Sequence, residues 1–238
     1  MLLYYIRHSD PIYDPDGLTP LGERQSEAVA RRLAQHGIDK IYSSDSNRAK
    51  ETARPLAEML KKDVTELPWA NEGRFFQNAS GIAEDGSKRF LADINSWAEL
   101  YNSPEVRKMG NDWVKHPEIA KTNLPEGIAT IQREADALLL AHGFRHDHEK
   151  CCYFREKASD ERVALFAHAA FGKAFLSCVL DIPYPLFATR HDISHSSVTV
   201  IRFVDRGFGW LPQLMTYSND SHLYAENLPT KYNNDIYI

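Results

Sequence analysis

Two histidines end two runs of buried-type residues. Leu2-Leu3-Tyr4-Tyr5-Ile6 runs into Arg7-His8-Ser9-Asp10-Pro11, and Val163-Ala164-Leu165-Phe166-Ala167 stops at His168. Continuous apolar runs of this length read as strands covered on both faces. In open α/β sheets the ligand site lies beyond the carboxyl ends of such strands, where the topology reverses, so His8 and His168 are expected to meet there. Arg7 stands beside the first histidine, and Arg48 opens a helix after the small polar loop Ser44 to Asn47. Two permanently charged forked guanidinium groups and a helix amino terminus converging on one point make a receptacle for phosphate.

The elements that must hold these groups follow from local pattern. Thr19-Pro20 supplies an N-cap and a proline at the first helical position, and Leu21, Ala28, Val29 and Leu33 share one face until Gly37 ends the helix. Ile38 to Ser43 reads as a strand and Arg48 to Lys61 as a helix, so strand and helix alternate as in a parallel sheet. From Arg74 to about Gly127 the pattern loosens around Trp97, Tyr101 and Trp113, with breaks at Gly81, Gly86, Pro104, Gly110, Pro117 and Pro125. This stretch is expected to be a helical insertion, with its aromatics forming the core of a small layer or a lid over the site. A helix near Ile128 to His142, a helix from Phe171 to Leu180, and strands at Val198 to Val204 and Leu211 to Tyr217 complete the expected set, and Leu223 to Ile238 is expected to be a surface tail.

The chain has 238 residues, 43% hydrophobic and 26% charged, enough to bury one large core. A single domain over residues 1–238, with the insertion at about 74–127, is the expected organisation. Lys and Arg number 28 against 33 Asp and Glu, a net charge of -5 that gives no global field for polyanions, and no nucleic-acid partner is expected. No apolar run approaches the roughly 20 residues that span a bilayer. Met1 to Ile6 meets Arg7 too early to form a signal peptide, so the expectation is a cytoplasmic protein with no membrane partner. The cysteines Cys151, Cys152 and Cys178 include an adjacent pair and imply no disulfide framework.

The ordered set Tyr5-Ile6-Arg7-His8, Leu18-Thr19-Pro20-Leu21-Gly22, Ile41-Tyr42-Ser43-Ser44 followed by Asn47-Arg48-Ala49-Lys50-Glu51-Thr52-Ala53, and Leu165-Phe166-Ala167-His168 resembles the histidine phosphatase superfamily, the fold shared with cofactor-dependent phosphoglycerate mutases. The resemblance implies a three-layer α/β/α sandwich, with a mostly parallel central sheet and the insertion over its carboxyl edge. It implies a metal-independent phosphatase that needs no cofactor and acts on a small phosphorylated metabolite. His8 would attack phosphorus to form a phosphohistidine. Arg7, Arg48 and His168 would hold the equatorial oxygens. Glu72, in Trp69-Ala70-Asn71-Glu72-Gly73, would protonate the leaving oxygen and then deprotonate the attacking water. Glu66, Glu84 and Asp85 are the carboxylates that compete for that role.

Three positions depart from the family pattern. Ser9 replaces the glycine usual after the first histidine and Ala169 the one after the second, and both are expected to line the phosphate site. Asp14 stands where mutase relatives carry an asparagine, and a carboxylate there would repel phosphate. Hydrolysis is therefore favoured over mutase-type transfer, and a phospholigand-binding protein without turnover is the alternative from another class. His222 reads as a structural hydrogen-bonding residue. His142, His146, His148, Cys151 and Cys152 are of metal-binding types but lack paired ligand spacing, so no metal is expected.

Overall fold

The computed structural model describes residues 1–78, 80–82, 88–90 and 94–232. The chain opens with β1 (Leu2–Arg7), a small hairpin of β2 (Pro11–Tyr13) and β3 (Asp16–Leu18), α1 (Pro20–Ala34), β4 (Lys40–Ser43), α2 (Asn47–Leu60) and β5 (Val64–Glu66). Next come α3 (Glu72–Asn78), β6 (Ser80–Ile82), β7 (Lys88–Phe90), α4 (Ile94–Asn102), α5 (Pro104–Met109), α6 (Pro117–Ala120) and α7 (Leu124–Ala141). The last part holds β8 (Phe144–Asp147), β9 (Cys152–Arg155), β10 (Arg162–Ala167), α8 (Ala169–Leu180), α9 (Tyr184–Ala188), β11 (Val198–Asp205), β12 (Trp210–Asn219) and α10 (Ser221–Ala225).

The architecture is the expected α/β sandwich around one large sheet, of eight strands in the order β5-β4-β10-β1-β11-β12-β9-β8. The block β5-β4-β10-β1 is parallel. Beyond β1 the sheet continues antiparallel through β11, β12, β9 and β8. Alternation along the central strands feeds two cores. Leu3, Tyr5, Val163, Leu165 and Ala167 pack with Phe171 and Phe175 of α8 and Leu139 of α7. Ile6, Ala164 and Phe166 pack with Val29 and Leu33 of α1 and Leu56 of α2 on the opposite face. The helix after β1 thus covers one face and the helix after β10 the other, which puts the topological switch between these adjacent strands.

Local signals set the helix starts. Thr19 caps α1, its Oγ1 accepting from Gly22 N at 3.0 Å. A Cβ on Gly22 would stand 2.2 Å from the Asp10 carbonyl oxygen, so only glycine lets the helix start approach the loop after β1. Ser46 caps α2 through Ala49 N. The hairpins β2–β3 and β8–β9 are additions to the expected elements.

Tyr101 and Trp113, from the region between α3 and α7, are buried and meet Tyr184 of α9 with ring centroids 6.1 and 6.0 Å apart. These aromatics are therefore core. The expected breaks at Gly86 and the carboxylates Glu84 and Asp85 lie outside the described residues. The expected surface tail is corrected over residues 223–232. Leu223 and Leu228 are buried against Ala28, and Lys231 donates to Asp10 Oδ1 at 2.8 Å. Residues 233–238 lie outside the described residues. The three cysteines are free. No helix among the described residues is long and apolar enough to cross a membrane.

Candidate active site

Each strand of the parallel block releases a chemically useful side chain at its carboxyl end. Arg7 of β1 pairs in register with Ala167 of β10, so His8 and His168 leave the sheet side by side, and His8 N donates to Ala167 O at 2.8 Å. After β4 come Ser44, Ser46 and, in the first turn of α2, Arg48. After β5 a single 3-10 turn, Pro68–Ala70, leads to Glu72 at the start of α3.

The two histidine rings lie 5.2 Å apart between centroids and are fully buried. His8 Nδ1 lies 2.8 Å from the Ser9 carbonyl oxygen, an acceptor, so the proton sits on Nδ1 and Nε2 carries the lone pair. Burial, then the charge of Arg7, holds His8 well below the ordinary histidine range. His168 is held low by burial, Arg48 and Arg7. Its Nε2 lies 2.9 Å from Ser44 Oγ, while Nδ1 lies 3.2 Å from Arg48 Nη2 and accepts from it. The Tyr5 hydroxyl accepts from His168 N and donates to His168 O, fixing the backbone at this strand-to-helix joint.

Arg7 is almost completely buried, donates to Ile193 O, and places Nη2 2.6 Å from His195 Nε2. Burial works against its charge, and the largest opposing effect is the negative charge of Glu72. Glu72 accepts from Ala170 N at 2.7 Å, which ties it to the amino terminus of α8. Glu66, a competing carboxylate in the sequence, instead sits beside Lys50 at the surface, 3.5 Å away. Ser9 N donates to Thr52 Oγ1, and the buried Ser9 Oγ has no hydrogen-bond partner among the described residues. Ala169 is the first residue of α8, beside His168.

Several residues of this region carry no sequence signal of their own. His195 lies 5.5 Å from His8 between ring centroids and 3.6 Å from Asp10 through Nδ1, and Asp10 also accepts from Thr19 Oγ1 and Lys231 Nζ. What places His195 here is strand direction, which no local sequence pattern marks. β11 runs antiparallel to β1, so the residues before its start arrive where β1 ends, and Ser196 N donates to His8 O. Asp16 of β3 accepts from Arg48 Nη1 at 2.6 Å and from Asn47 N at 2.7 Å. Tyr13 lies under the same guanidinium, 5.4 Å from ring centroid to Cζ. The carboxylate that this loop brings to the site is therefore Asp16, while Asp14 is exposed at the turn. His222 accepts from Arg32 Nη1 and lies 3.1 Å from Ser196 Oγ, in the structural role expected of it.

Residues 7–144, more than half of the chain, match the family model of the histidine phosphatase superfamily, branch 1. A putative phosphoserine phosphatase 2 from Hydrogenobacter thermophilus is 37% identical over 67 residues, 24% of this chain, and the match spans only 33% of that protein's length. A probable phosphoglycerate mutase from Proteus mirabilis is 26% identical over 59% of this chain and 69% of that protein. Among solved structures, a phosphoserine phosphatase from Entamoeba histolytica in complex with 3-phosphoglyceric acid superposes with a TM-score of 0.57 at 19% identity, covering 93% of this chain and 98% of that one. A mycobacterial glucosyl-3-phosphoglycerate phosphatase in complex with inorganic phosphate gives 0.59 at 19% identity, with coverage of 93% and 98%. At these identities the likeness is one of fold.

Proposed function

The chain belongs to the histidine phosphatase superfamily, and from that premise we propose that it hydrolyses a small phosphomonoester through a phosphohistidine on His8. The observation that carries the reading is the convergence of Arg7, His8, Arg48, Glu72 and His168 from the ends of adjacent parallel strands. His8 meets the first requirement of a nucleophile. Its Nε2 lone pair is free of a proton, because Ser9 O takes the Nδ1 hydrogen and burial beside Arg7 keeps the ring neutral.

Attack of Nε2 on phosphorus breaks the bond to the ester oxygen, and Glu72, which enters this step as the carboxylic acid, gives that oxygen a proton as it leaves. Arg7 and Arg48 offset the charge on the equatorial oxygens. Those same cations hold His168 neutral in the resting site. A bound phosphoryl group compensates them, so His168 Nδ1 can then carry a proton and donate to an oxygen. Ser9 and the Ala169 amide would border the bound phosphoryl group. Water next attacks the phosphohistidine, Glu72 accepts its proton, and inorganic phosphate and free His8 are produced.

Hydrolysis of p-nitrophenyl phosphate with EDTA present, for wild type and His8→Ala, tests this reading. Turnover is expected with EDTA, with at least a 1,000-fold loss in the variant. Because His8 titrates far below the usual histidine range, no loss of kcat/KM is expected on lowering the pH through about 6.5. A panel containing phosphoserine, 3-phosphoglycerate and sugar phosphates identifies the leaving group. Silence across the panel with retained phosphate binding would instead mark a binding protein, and transfer between phosphoglycerate positions a mutase.

A further inference from the structure

The residues of metal-binding type between His142 and Cys152, for which the sequence led to no expectation of a metal, are redistributed by the fold. His142 lies 2.8 Å from Glu161 through Nδ1 and 3.1 Å from the Tyr42 hydroxyl through Nε2, and Cys152 is buried under Gly209. His146 and His148 remain together, joined by Asp136 from α7, a residue absent from the sequence pattern. His146 Nδ1 lies 2.9 Å from Asp136 Oδ1, and His148 Nε2 lies 2.9 Å from Asp136 Oδ2. The ligand atoms of these three residues all fall within 4.8 Å of one another.

We propose that Asp136, His146 and His148 form a binding site for one borderline divalent transition-metal ion, zinc being the best match, outside the phosphate pocket. The His-x-His spacing at the end of β8 sends both imidazoles to one side of the strand. The rings lie 4.1 Å apart between centroids. Zinc ligands at 2.0–2.1 Å in tetrahedral array stand roughly 3.3 Å from one another, so a small opening of the present 2.9 Å contacts, with release to solvent of the protons that His146 Nδ1 and His148 Nε2 share with Asp136, accommodates the ion.

The surroundings have the form of a metal site. His146 is buried, lies flat on Tyr153 with ring centroids 4.1 Å apart, and faces Asp181 Oδ2 with its other nitrogen at 3.1 Å. A carboxylate behind a ligating histidine fixes its tautomer and orientation. Gln132 Nε2 donates to Asp136 Oδ1 at 3.0 Å and orients that carboxylate in turn. Two imidazoles with one carboxylate favour zinc-like ions over magnesium or calcium. Three protein ligands leave a fourth position open. His148, Gln132 and Asp181 border a cavity of about 310 Å³ that also meets Trp113 and Tyr184, and none of Arg7, His8, Arg48 or His168 lines it.

The test is a Zn2+ titration of the full chain in competition with a chromogenic chelator, with Co2+ absorption reporting the coordination geometry. One ion per chain is expected, with at least tenfold weaker binding in His148→Ala and in Asp136→Asn and unchanged binding in His8→Ala. His148 is half exposed, so its variant is expected to fold. Absence of stoichiometric binding would overturn the proposal, as would binding that survives in both ligand variants. Binding lost in His8→Ala would also overturn it, placing the ion among the active-site histidines. Because p-nitrophenyl phosphate turnover is expected to persist in His148→Ala, failure of the metal site and failure of the phosphatase reading are separate results.

Discussion

Asp16 is the residue at which the site's resting electrostatics are most exposed to experiment. Its carboxylate takes the Arg48 donor and the helix amide that an incoming phosphate would also use. Under the proposed function, a phosphomonoester would have to displace an anion already in place or share Arg48 with it. Asp16→Asn keeps the size and one acceptor oxygen but removes the charge. The pair is partly solvated, with side chains 13% and 28% exposed, which limits its worth to about 1 kcal/mol. The expected result is phosphate inhibition tightened about 3- to 10-fold, measured as a Ki against p-nitrophenyl phosphate.

At the scale of elements, the joint between β1 and α8 is where packing sets the chemistry. A Cβ on Gly172 would lie 2.6 to 2.7 Å from the ring and hydroxyl of Tyr5, the side chain that fastens the His168 backbone. Gly172→Ala is expected to cost about 1–3 kcal/mol in denaturant unfolding and to lower kcat as His168 shifts. This joint also shows how much of the molecule was legible beforehand. The buried runs of β1 and β10 with their terminal histidines, the Thr19 cap and the polar loop before Arg48 were readable because burial and capping are local properties. The β8–β9 hairpin was hidden because its four-residue strands carry charged and polar side chains and flank a charged turn, so no apolar alternation marks them. His195 was hidden because its position depends on β11 running antiparallel to β1, a choice that no local pattern encodes. Asp136 was missed for the same reason, since a helix brings it to His146 across the β8 boundary.

For the whole molecule, three buried histidines shape the acid side of stability. His8 and His168 are held low by burial and neighbouring arginines, and burial with Arg32 puts His222 at about 4. In the unfolded chain each takes a proton near pH 6.5, whereas the folded chain resists. Stability must fall as pH drops below 6.5, with His222 contributing up to about 3 kcal/mol of loss by the time pH reaches about 4. His222→Asn is expected to flatten that part of the curve in denaturant titrations between those pH values, leaving the share of His8 and His168. The same sheet has a consequence for the chain as it is made. Both neighbours of β1 in the sheet, β10 and β11, lie more than 150 residues further along. A ribosome must therefore release most of the polypeptide before the first strand finds its place, and closing so long a loop is slow. Until then Tyr4, Tyr5 and Ile6 travel as an uncovered aromatic segment, which makes the nascent chain a client for chaperones at the end that carries His8.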